Sequence, residues 1–107
     1  VVIKDADSWL ALWTSHAGPD APAPKIDFKD SMVVAVFMGA RPNGCYGAEV
    51  SGIERKAGKL IVARTDTTPE SFDAPVCTQA VTSPAHLVQL ERTEEVVEFV
   101  TTVKKPR

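Results

Sequence analysis

Hydrophobic positions first recur with a helical period. Ala6, Trp9, Leu10, Trp13 and Ala17 fall three or four residues apart and form one apolar stripe. Asp5 and Asp7 both suit the N-cap, where a carboxylate accepts from unpaired N–H groups and opposes the positive helix end. Gly18 offers a left-handed stop, and Pro19 prevents continuation. A helix with one apolar face needs a surface, so Trp9 and Trp13 are expected to pack on a sheet.

The run GPDAPAPK, from Gly18 to Lys25, holds three prolines and reads as an extended connection. Beyond it the pattern becomes that of strands. Met32–Met38 (MVVAVFM) is unbroken and rich in β-branched residues, which suits a strand buried on both faces. Arg41–Gly44 (RPNG) is a turn. Tyr46, Ala48 and Val50 then alternate with polar or small residues, as in a half-buried strand. Lys56–Lys59 (KAGK) predicts a turn, and Leu60–Ala63 a further strand. Glu70–Pro75 is loop, and Val76–Val81 is a candidate strand ended by Thr82-Ser83-Pro84. His86–Glu91 and Val96–Val103 read as strands, with Arg92–Glu95 as a hairpin turn between them. This order predicts an α+β fold that is mostly β. One N-terminal helix packs on an antiparallel sheet, or on a small sandwich or barrel, of five or six strands.

With 107 residues, the chain is read as one domain spanning 1–107. A net charge of -2 and scattered basic residues argue against nucleic-acid binding. The cluster Lys104-Lys105-Pro106-Arg107 reads as a solvated terminus. No apolar run approaches the ~20 residues that span a bilayer. The chain starts at Val1 without a methionine, so it is read as a processed or trimmed piece, and its compartment is not legible from a leader. Cys45 and Cys77 form either one disulfide or a pair of reduced thiols; a bridge implies an oxidising compartment.

Catalytic chemistry has little to stand on. His16 lies where the end of the helix favours positive charge, and His86 starts a strand, where a hydrogen-bonded or exposed polar residue is ordinary. Cys45 in NGCYG superficially resembles a nucleophile elbow, but the cysteine is not central between the glycines and a strand follows it. Asp66, Glu70 and Asp73 line one region without the dense oxygen ligands that calcium prefers. No phosphate-binding, dinucleotide-binding or zinc-protease motif is present. The reading is therefore no catalytic residue, no metal and no cofactor, with a small enzyme centred on Cys45 the weakest alternative. RPNGCYG is the distinctive segment. It reads either as a hairpin turn leading to a core tyrosine or as a shaped binding loop on a rigid sheet.

Several features resemble the PrcB C-terminal domain family, named for a subunit of a bacterial protease complex. They run from the Trp-bearing helix through Ile26-Asp27-Phe28, MVVAVFMG and RPNGCYG to VTSPAHLVQLE, covering about Trp9 to Phe99. In the family's usual Pro-Thr-Gly-Gly-Tyr loop, Pro42, Gly44 and Tyr46 match, while Asn43 and Cys45 replace threonine and the second glycine. Thr82-Ser83-Pro84 matches the second marker. The resemblance implies an extracytoplasmic domain, periplasmic or lipoprotein-anchored, that binds or assembles with a protein partner, a protease in particular. Partner-binding residues are then expected at Arg41, Pro42, Asn43, Gly44, Tyr46, Thr82, Ser83 and Pro84, forming one surface. Arg41 and Asn43 are expected to serve binding without serving stability. The loop is also similar to that of chagasin-like peptidase inhibitors through Pro42, Gly44 and Tyr46, although no Arg-Pro-Trp type segment follows. Inhibition through the Arg41–Tyr46 loop is therefore the alternative function.

Overall fold

The computed structural model describes residues 1–72 and 76–105. Its elements are β1 (Val2–Ile3), α1 (Ala6–Ala17), β2 (Ser31–Phe37), β3 (Gly47–Lys56), β4 (Lys59–Thr67), a 3₁₀ turn (Pro69–Ser71), β5 (Ala85–Glu91) and β6 (Val96–Val103). The fold is α+β and mostly β. Its strands form two three-stranded sheets, ordered β1-β2-β5 and β3-β4-β6, and neither closes into a barrel. The chain divides into two compact units, Val1–Val34 with Val88–Glu94, and Ala35–Leu87 with Glu95–Arg107.

In the first unit, Asp5 caps α1. Its carboxylate accepts from the Ser8 backbone N–H at 2.8 Å and from the Ser8 hydroxyl at 2.9 Å. Gly18, with φ 91°, donates its N–H to the Thr14 carbonyl and ends the helix. The Ser8 backbone N–H, and secondarily its hydroxyl, hold the Asp5 carboxyl below the ordinary carboxylate value. A carboxyl lowered on folding contributes stability above its unfolded pKa, and the contribution is lost as pH falls through the folded value. Acidification through the carboxylate range is therefore expected to lower the melting temperature. Asp5→Asn, which can still accept at the cap, should show a shallower fall when the two proteins are melted side by side by circular dichroism.

The stripe on α1 meets the connector. Trp9 is buried and donates from Nε1 to the Pro24 carbonyl at 2.9 Å. Trp13 is only half-buried and donates to the Ala21 carbonyl at 3.2 Å. A buried indole N–H needs an acceptor, and carbonyls of the Pro-rich connector supply one to each indole. β1 pairs antiparallel with β2 through Val2–Val34 and Ile3–Val33. Met32, Val33 and Val34 are buried, as the unbroken apolar run predicts.

Arg92–Glu95 is not a hairpin turn. The strands on either side belong to different sheets, and β6 runs parallel to β4. Arg92 instead locks the first unit. Its guanidinium donates to the Lys4 and Phe28 carbonyls, and its N–H donates to the Asp30 carbonyl.

In the second unit, β3 and β4 form an antiparallel hairpin. Ala57 (φ 54°) and Gly58 (φ 77°) lie between Lys56 and Lys59, both in the left-handed region. A two-residue hairpin loop of this kind matches the right-handed twist of its strands. The parallel β4–β6 pair departs from a purely antiparallel arrangement. The long stretch between the two strands supplies the crossover that parallel pairing requires. Leu60 and Val62 of β4 are buried. The Lys104 N–H continues the ladder to the Asp66 carbonyl, so the basic terminus is tied in at its start. Pro106 and Arg107 lie outside the described residues. Val76–Val81 is not a strand; it is a loop in which Val76 is 99% and Val81 76% exposed.

Candidate functional site

Three short segments of the second unit meet where β2 ends and β3 begins. Past β2, Met38 donates to the Pro84 carbonyl at 3.0 Å, and Gly39 (φ 75°) turns the chain. Arg41 and Thr82 then form an isolated antiparallel bridge, with both N–H···O bonds made, at 2.7 and 2.9 Å. The Thr82 hydroxyl adds a bond to the Asn43 carbonyl at 3.0 Å. The two marker segments, Arg41–Tyr46 and Thr82–Pro84, thus lie against one another.

Within the loop, Asn43 Oδ1 accepts from the Cys45 N–H at 3.0 Å, a side-chain turn of the kind asparagine favours. Gly44 donates to the Thr78 carbonyl at 3.0 Å. A Cβ at position 44 would lie 3.0 Å from the Thr78 Cβ, so the glycine permits this close crossing. Cys45 is buried and bonded to Cys77, with Cα atoms 5.2 Å apart. In that form its sulfur cannot act as a thiolate nucleophile. The segment read from sequence as a strand is therefore a strap, fastened at Cys77, Thr78 and Thr82 to the loop beside it. Sequence reasoning missed Thr78; only the neighbouring Cys77 hinted at it.

Exposure sorts the eight candidate residues. Arg41, Pro42, Gly44 and Ser83 are exposed, and Asn43, Tyr46, Thr82 and Pro84 are half-buried. The Arg41 guanidinium lies over the Tyr46 ring, 5.5 Å from its centroid, within cation–π range. Tyr46 is therefore neither fully core nor free surface: one part of the ring is covered and the rest supports a cation. Asn43, expected to matter for binding alone, is corrected by its bonds, because its side chain and carbonyl both hold the loop's shape.

The other sequence candidates serve structure. His86 Nδ1 accepts from the Val50 N–H at 2.8 Å. Asp66 pairs with Arg64 at 2.9 Å, and the same guanidinium donates to the Phe37 carbonyl. Glu70 accepts from the Thr68 hydroxyl, which holds its carboxyl below the ordinary value. Asp73 lies outside the described residues, and no group of three metal-ligating side chains occurs among those described. Among the described residues, no helix is long and apolar enough to cross a membrane.

Residues 32–91, more than half of the chain, match the family described as PrcB C-terminal. The match includes both loop segments and begins after α1 and the connector. No curated protein and no solved structure matches the chain.

Proposed function

Since the chain belongs to the PrcB C-terminal family, we propose that it is a non-catalytic protein-binding or assembly module that stabilises a protease complex outside the cytoplasm. The observation that carries this reading is the prepared loop. A bridge, an asparagine turn, a close glycine crossing and a disulfide fix its backbone, while Arg41, Pro42 and Ser83 remain open to solvent. A backbone ordered in advance loses less entropy when a partner arrives. Arginine on tyrosine is the composition typical of binding hot spots, and exposed Val76 and Val81 on the strap add apolar area. The disulfide supports an oxidising compartment.

Arg41→Ala is the clean probe, because the side chain is exposed and its main-chain bridge survives truncation. With the domain immobilised, a peptidase-containing complex from the native envelope fraction should be retained and identified by mass spectrometry. Arg41→Ala should weaken that binding about tenfold or more with little change in melting temperature. Asn43→Ala should weaken binding and also destabilise by about 1 kcal/mol, since it removes a turn bond. Wild-type affinity in the Arg41 variant would place the binding surface elsewhere. Inhibition of purified cysteine peptidases by the wild-type domain, lost on Arg41→Ala, would favour the inhibitor reading instead.

A further inference from the structure

The arginines of the chain are not all used alike. Arg55, Arg64 and Arg92 each hold a carboxylate of this chain, at 2.6, 2.9 and 3.1 Å. Arg41 holds none among the described residues, and its guanidinium donates no hydrogen bond to them. Its one side-chain contact of note is the Tyr46 ring, which leaves the positive charge in place and the N–H fork unspent. The sequence around it offers no counter-charge. Residues 38–48 carry the loop and residues 76–85 the strap, and across both Arg41 is the single charged residue.

Apolar side chains accompany that charge. Val76 and Val81 are both exposed, and each precedes a residue fastened to the loop. Cys77 is fastened by its disulfide to Cys45, and Thr82 by its bridge to Arg41. A lone cation beside open valines fits an anion set among apolar groups.

The kind of anion follows from what the loop has left to offer. Phosphate groups are recognised by clusters of arginines, and these stretches hold one. The carboxylate at the end of a chain is captured by converging backbone N–H groups. Here those groups are spent: the N–H groups of Arg41, Gly44, Cys45 and Thr82 all donate within the loop and strap, and Pro42 and Pro84 have none. The unspent donor is the guanidinium, whose planar fork matches an Asp or Glu carboxylate through two parallel bonds. We infer that the partner of this loop presents an acidic side chain to Arg41, from a segment whose neighbouring residues are apolar and cover Val76 and Val81. This rests on the binding role proposed above and names the chemistry of what is bound.

A library of short random peptides, amidated at their C-termini and displayed on beads, tests it with the purified, fluorescently labelled chain. Retained sequences should place Asp or Glu beside Leu, Ile, Val or Phe. Each is then remade with Asn or Gln for the acid, and affinities are measured by fluorescence anisotropy. The acid-to-amide change should weaken binding to the wild type about tenfold or more. Against Arg41→Gln the acidic and amide peptides should bind alike, and both weakly. Val81→Ser reports on the surface itself, because an exposed valine can be changed with little effect on the fold; it should weaken every retained peptide. Peptides weakened by Val81→Ser but indifferent to the acid, or an acid dependence that survives Arg41→Gln, would overturn the carboxylate inference and leave the binding role standing. Peptides indifferent to both variants, or none retained at all, would overturn the inference and the binding role of the loop together.

Discussion

Replacing Trp9 with alanine should destabilise the protein by about 3–5 kcal/mol, the range for deleting a buried large aromatic. Trp9 is only 6% exposed, and its indole both fills space and ties α1 to the connector at the Pro24 carbonyl. Its ring centroid lies 5.5 Å from that of Trp13 at a tilt of 47°, so the two rings stiffen each other. Trp13 is half-buried, and Trp13→Ala should cost less, about 1–2 kcal/mol. Urea unfolding followed by circular dichroism gives both values. Equal losses would show that the connector does not distinguish the two positions and that burial along the stripe is even.

The contrast between these indoles shows what local pattern conveys. The cap at Asp5, the stop at Gly18, the buried run Met32–Val36 and the turn at Ala57–Gly58 were legible because each is set by residues close in sequence. The partner of an apolar face is not. The stripe on α1 announced that something must cover it, yet only Trp9 is buried and Leu10 stays 58% exposed, and the segment that takes the two indole N–H groups has no hydrophobic period and shows only as prolines. Strand pairing failed to read out for the same reason. His86–Glu91 and Val96–Val103 both carry strand composition, yet their association with different sheets depends on contacts far along the chain. The candidate strand Val76–Val81 did not form: Thr78 and the adjoining Thr82 spend their backbone groups on single contacts with the Arg41–Gly44 turn. At the site, proline, asparagine and glycine marked the loop, but the strap opposite was invisible apart from its cysteine.

That cysteine carries the other large expected effect. Removing the Cys45–Cys77 bridge with the double change Cys45→Ala and Cys77→Ala should cost about 3–4 kcal/mol by the chain-entropy relation, for residues 32 apart in sequence. Either single change already breaks the bond. The three variants should therefore lose similar stability instead of showing additive losses, the behaviour expected of two residues acting as one unit. A reductant should lower the melting temperature of the wild type and leave the double variant unmoved. Binding should respond as well. Without the bridge, the loop keeps the Arg41–Thr82 pairing and the Asn43 turn but loses its covalent tie to the strap. The ordering cost then falls at the moment of binding, and partner affinity should drop beyond what lost stability explains. Cys45→Gly restores the residue that the family's usual Pro-Thr-Gly-Gly-Tyr loop carries here, and it separates the two roles. If it binds as tightly as the bridged protein while remaining less stable, the disulfide serves stability alone. If affinity falls with the bridge, the covalent tie is what presents Arg41 and Tyr46.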